Sequence, residues 1–221
     1  MKHIYLNLKR FDISPARGGV NRLSSMADWG ADIVRGTQEA LKAWPEAEYV
    51  MYFPEAHLLG AAAARCEGSP VKVGCQSVYR ADTAVGGNFG AFTSNRTANA
   101  AAELGCESAL IGHCEERADK MGVLAQAGVT GQAAASAVNS LLNQEIKAAQ
   151  AAGLSVLYCI GEKSEEHRQP LLTDSPLQRV HCAAQHSAVL RLNSVFYRHQ
   201  CLGILCRHAE HADNPHPEYS A

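Results

Sequence analysis

Residues 108–117 read Ser108-Ala109-Leu110-Ile111-Gly112-His113-Cys114-Glu115-Glu116-Arg117. The first four are small or apolar with no polar alternation, the texture of a strand covered on both faces. A glycine then turns the chain, and a histidine and three charged residues open a helix-like segment. A strand that ends in a glycine turn and feeds a charged helix is one half of a βα unit. The fold depends on whether the unit repeats.

It does. Similar short apolar runs occupy residues 3–7, 49–53, 71–76 and 155–160, giving five predicted strands with 108–111 as the fourth. Between them the hydrophobic period lengthens. Residues 28–44 place Ile33, Thr37, Ala40, Leu41 and Trp44 at helical spacing, with Pro45 as a stop. Residues 57–65 are alanine-rich, and 97–104 are helical up to Gly105. Thr130 is positioned to cap a long helix with a Val138, Leu141, Leu142, Ile146 and Ala149 stripe, closed by Gly153. Five strand–helix alternations predict a parallel sheet with right-handed crossovers. An open doubly wound sheet and a barrel both satisfy that pattern.

Composition narrows the class. A hydrophobic content of 47%, a charged content of 19% and a formal net charge of -2 describe a globular chain without a broad positive field. Neither nucleic acid nor an anionic membrane is an expected partner, and no apolar run approaches the roughly 18 residues of a membrane span. The first residues enter a strand directly, with no signal-peptide profile. Eight irregularly spaced cysteines then read as reduced thiols, and the expected location is the cytoplasm.

Polar residues cluster where the strands end: Asn7 and Lys9, Glu55, Gln76 and Ser77, His113 and Glu115, and Glu162. In a barrel these converge on the rim where active sites form. A neutral imidazole at a helix N-terminus can donate to a carbonyl or enediolate oxygen, although a histidine that only caps would look the same. Asn7 and Lys9, two residues apart in a strand, face one cavity, where the ammonium could stabilise an oxyanion or attract a phosphorylated ligand. Residues 86–93 form a glycine-rich loop without dinucleotide or P-loop spacing.

Three stretches, Gly90-Ala91-Phe92-Thr93, Ile111-Gly112-His113-Cys114-Glu115-Glu116-Arg117 and Tyr158-Cys159-Ile160-Gly161-Glu162-Lys163, resemble signatures of the triosephosphate isomerase family. They stand in the family's order, behind Asn7 and Lys9. The resemblance covers residues 1 to about 166 and implies an incomplete (β/α)8 TIM barrel of about five βα units. It implies an aldose–ketose isomerase that interconverts dihydroxyacetone phosphate and glyceraldehyde 3-phosphate through an enediolate, without cofactor or metal. His113 then matches the electrophile, a neutral histidine in this family. Lys9 and Asn7 match the substrate-binding pair, and Glu115 matches a carboxylate beside the site. Thr93 matches a residue inserted toward a partner subunit, implying a homodimer. The chain departs from the family at Leu8, where tryptophan is usual, and at Cys114, where serine is usual. It departs also at Ser94-Asn95, in place of Gly-Glu, and in longer stretches at 14–27 and before Gly90.

The resemblance stops at about 163, which divides the chain into residues 1–163 and a non-matching segment 164–221. That segment holds no Tyr-Glu-Pro-Val-Trp-like stretch with the family's strand-six base and no glycine-rich phosphate loops. Glu162, Glu165 and Glu166 follow strand five and do not match the base. From Glu165 onward there is one glycine, Gly203, and no lysine, while seven of the ten histidines lie there. Such a glycine-poor stretch argues against three further βα units, and the shift in composition resembles an altered reading frame. The expected consequence is a truncated barrel with impaired activity, or a noncatalytic relative that binds a partner. Cys201, Cys206, His208 and His211 are soft ligands close in sequence, but their spacing fits no zinc finger, and no metal site is expected.

Overall fold

A computed structural model describes residues 2–159 and the backbone of 189–191. Five parallel strands lie side by side in chain order and curve into a half-barrel: β1 (Lys2–Asn7), β2 (Ala47–Phe53), β3 (Val71–Gln76), β4 (Ser108–Ile111) and β5 (Ser155–Cys159). Helices α1 (Trp29–Leu41), α2 (Leu58–Ala63) and α3 (Ala98–Glu103) connect the first four strands. Two helices, α4 (Cys114–Gln126) and α5 (Gly131–Ala151), lie between β4 and β5. A three-residue strand, β6 (Val189–Arg191), pairs antiparallel with β5. The remainder of 160–221, including the end of the predicted fifth strand, Glu162, Glu165, Glu166 and the Cys201–His211 cluster, lies outside the described residues.

Strands β2 to β5 are mostly apolar because both faces are largely covered. Met51, Phe53, Val71, Val73, Ile111 and Val156 face the helices and pack against Trp29, Val34, Leu58, Val138 and Leu142. Their alternates Val50, Tyr52, Leu110 and Leu157 form a second, inner cluster with Tyr5 and Cys159. The Tyr52 hydroxyl meets Ser108 Oγ at 2.9 Å within that inner layer. Strand β1 is the exception. Among the described residues it pairs only with β2, and Ile4 and Leu6 remain 44% and 42% exposed.

Two helices differ from expectation. The predicted stripe of α1 holds in part: Ile33 and Leu41 are half-buried against the core, but the buried positions are Trp29, Ala31, Val34 and Gln38, and Trp44 lies past the helix end, 54% exposed. Gln38 earns burial by bonding Cys66 N and the Ala64 carbonyl, a polar satisfaction that apolar periodicity does not register. Thr130 occupies the N-cap of α5, but its side chain makes no capping bond. Thr97 does cap its helix, accepting from Ala100 N at 3.2 Å.

Candidate active site

The C-terminal ends of β1, β3 and β4 meet around a cavity of about 570 Å³. At the end of β1 the backbone turns sharply, and Lys9 adopts φ 45°, a left-handed conformation that costs a non-glycine residue of order 1–3 kcal/mol. Local bonds hold it there. Lys9 N donates to Asn7 Oδ1 at 3.0 Å, and Gln76 Nε2 donates to both Asn7 Oδ1 and the Lys9 carbonyl at 3.1 Å. The end of β3 is fixed in turn by Arg96, whose Nη2 donates to the Gln76 and Ser77 carbonyls at 2.6 and 2.5 Å. Asn7 and Gln76 therefore act as a brace that aims the Lys9 ammonium into the cavity.

At the end of β4, Gly112 has φ 80°, and a Cβ there would sit 2.8 Å from the Tyr158 ring and 2.9 Å from the Cys159 carbonyl. Only glycine fits this turn. Arg117 clamps it from outside, donating to the Gly112 and Cys159 carbonyls and to Tyr158 Oη at 2.8–3.0 Å. His113 then becomes the N-cap of α4, with Nδ1 accepting from Glu115 N at 3.4 Å. An amide can only donate, so this contact assigns Nδ1 a lone pair and places the ring proton of the neutral form on Nε2. The Glu115 Oε2 atom lies 3.2 Å from the same nitrogen. That second contact becomes a hydrogen bond only when Nδ1 is protonated. The other carboxylate oxygen of Glu115 accepts from Lys9 Nζ at 3.2 Å, which draws its charge toward the lysine.

Glu116 anchors the same turn from below. Its carboxylate accepts from Gly112 N at 2.7 Å, Ser77 Oγ at 2.6 Å and Lys120 Nζ at 2.7 Å. Burial pushes its pKa up, but hydrogen bonds from Glu145, Lys120 and Ser77 outweigh that and hold it below the usual carboxylate value. Glu145, buried on α5 and 3.0 Å from Lys120, is pushed the other way, up to about 8, by burial and then by the facing Glu116. Two carboxylates around one ammonium cannot both ionise freely, and the one with more donors keeps the charge.

Of the residues singled out in the sequence, Asn7, Lys9, Gln76, Ser77, His113 and Glu115 line the cavity. Glu55 instead reaches Arg96 at 3.2 Å, and Thr93 sits on an exposed loop that does not line the cavity. Glu116, Arg10 and Arg17 also line it and were not singled out. Glu116 carried one signal, its four-residue spacing to Lys120 on a helix face. The buried Asp12–His57 pair at 3.1 Å, 45 residues apart, carried none. Among the described residues no group of three or more His, Cys, Asp or Glu is placed to hold a metal ion, and no helix is long and apolar enough to cross a membrane.

The family model described as triosephosphate isomerase matches residues 25–193, a span that begins after Asn7 and Lys9 and runs beyond residue 163. A triosephosphate isomerase of Rhodopirellula baltica is 29% identical over 145 residues, covering 66% of this chain and 48% of that protein. One from Pseudomonas putida is 33% identical over 122 residues, covering 55% of this chain and 41% of that protein. The chain thus spans less than half the length of these curated relatives. The crystal structure of triosephosphate isomerase from Bartonella henselae superposes with a TM-score of 0.52 at 21% identity, covering 75% of this chain and 54% of that one. At that identity the likeness speaks for the fold.

Proposed function

The chain belongs to the triosephosphate isomerase family, and from that premise we propose that its cavity is built for a phosphorylated triose and retains the electrophilic half of an enediolate isomerisation. The reaction is the interconversion of dihydroxyacetone phosphate and glyceraldehyde 3-phosphate. His113 polarises the substrate carbonyl by donating from Nε2, the nitrogen left carrying the proton when Nδ1 accepts from Glu115 N. Lys9 and Asn7 bind the substrate, and Glu115 holds the Lys9 ammonium beside the imidazole. This proton shuttle requires neither cofactor nor metal. The observation that carries the reading is the convergence of Lys9, His113 and Glu115 within 3.2 Å contacts on one cavity.

The same reading gives this chain little or no turnover. No glutamate in residues 164–221 stands in a stretch that matches the family's strand-six base. Loss of a general base typically costs about 10²–10⁴ in rate. The loop carrying Thr93 serves a homodimer in the cytoplasm. The missing base also favours a second reading, a noncatalytic relative that binds ligand or partner without turning it over. A coupled assay of the purified full chain with glyceraldehyde 3-phosphate tests both. Barely detectable turnover that disappears in His113→Gln is expected; turnover at the level of full-length relatives would overturn the impairment.

A further inference from the structure

Resting on that reading of the cavity, we infer that Arg17 is the residue that takes the phosphate of the ligand. Three cations line the cavity: Lys9, Arg10 and Arg17. Lys9 is engaged by Glu115 at 3.2 Å, and Arg10 by the buried Asp12 at 2.9 Å. Among the described residues Arg17 alone of the three has no acidic partner, so its guanidinium keeps its donors for a ligand. A planar fork of donors matches phosphate oxygens better than an ammonium does.

The segment that carries Arg17 is built rather than loose. Its start is pinned by Asp12, fully buried against His57 Nε2 at 3.1 Å. Its return is pinned by Asn21, whose Nδ2 donates to the Asp12 and Ser24 carbonyls at 3.0 Å while Oδ1 accepts from Leu23 N at 2.9 Å. Between those anchors, Pro15–Arg17 forms a 3₁₀ turn that Gly18 ends at φ 80°. A Cβ at Gly19 would collide with the Ile13 carbonyl, so the backbone can close there only as glycine. The backbone amides of Arg17, Gly18 and Gly19 are all spent on Ser14 and Pro15 carbonyls. They have no donor left for an anion, and the turn can offer only the Arg17 side chain.

The test is isothermal titration of the full chain with sn-glycerol 3-phosphate, and with glycerol as the uncharged control. Wild type is expected to bind the phosphorylated compound and not glycerol. Arg17→Ala should weaken that binding by about tenfold or more, with Arg17→Lys in between. Arg35→Ala, which removes a cation paired with Asp32 on α1 away from the cavity, should leave it unchanged. If Arg17→Ala binds like wild type, the inference falls while the substrate reading stands. An equal loss in Arg35→Ala and Arg17→Ala would reduce the effect to general charge and also overturn it. If wild type binds neither compound, both the inference and the substrate reading fall.

Discussion

The Glu145 carboxyl makes the half-barrel's stability depend on pH in a definite direction. In the native chain burial and the facing Glu116 push it up from 4.5 to about 8. Between those values the folded protein holds a proton that the unfolded chain has released. Stability from this group is therefore full below the lower value and is lost as pH rises through the upper one. Glu116, held low, acts in the opposite window: its contribution is present above 4.5 and disappears on acidification. Comparing Tm from pH 5 to 8, Glu145→Gln should fall less steeply than wild type; parallel curves would mean that Glu145 ionises normally in the fold. Gly112→Ala belongs to the same scale. A side chain at φ 80° against Tyr158 and Cys159 should cost about 2 kcal/mol or more in urea unfolding, and a loss under 0.5 kcal/mol would show that the turn relaxes freely. Gly112 and His113 were legible because glycine and histidine follow an apolar strand in one uninterrupted stretch. Glu145 carried only its spacing, three residues after Leu142 and seven after Val138 on the apolar stripe of α5, which places it on the buried face without naming its partner. Its burial is decided by Lys120, a residue of another helix.

At the scale of elements, β2 to β5 were legible because burial leaves short, mostly apolar runs recurring between helical stretches, whereas β1, with no buried residue, was legible mainly from its place in that alternation. The helices were less so, since their ends rest on single side-chain bonds. Thr97 and Thr130 stand in equivalent N-cap positions, yet only Thr97 accepts from its first turn. Thr97→Ala should therefore destabilise the chain by about 1 kcal/mol, and Thr130→Ala by a few tenths at most. Chemical denaturation of the two variants side by side checks this, and equal losses would mean that Thr130 does cap in solution. The α1 stripe was legible only in part for a related reason. Ile33 and Leu41 pack as read, but apolar residues alone put Trp44 inside and pass over the buried, hydrogen-bonded Gln38.

For the whole molecule the decisive quantity is whether half a barrel has one core. The helix-facing cluster is continuous, running from Trp29 and Phe53 through Val73 and Ile111 to Leu142 and Val156, so α1, α5 and strands β2 to β5 share one buried layer. Among the described residues the inner cluster is smaller, with Val50, Tyr52, Leu110 and Leu157 as its buried members. A barrel interior is normally filled by layers drawn from alternate strands all the way round. Among the described residues, cooperativity then rests on the outer layer, and Trp29 lies within it, 4% exposed, while Trp44 is 54% exposed. In a Trp44→Phe variant the remaining tryptophan reports that layer alone. Its fluorescence should lose intensity or shift at the same urea concentration at which the helical circular dichroism signal falls, because helices and strands pack through one cluster. If Trp29 were released well before the helices melt, the α1–β2 end would open separately. The cavity whose lysine stands at the end of β1 would then lose its frame before the rest of the fold.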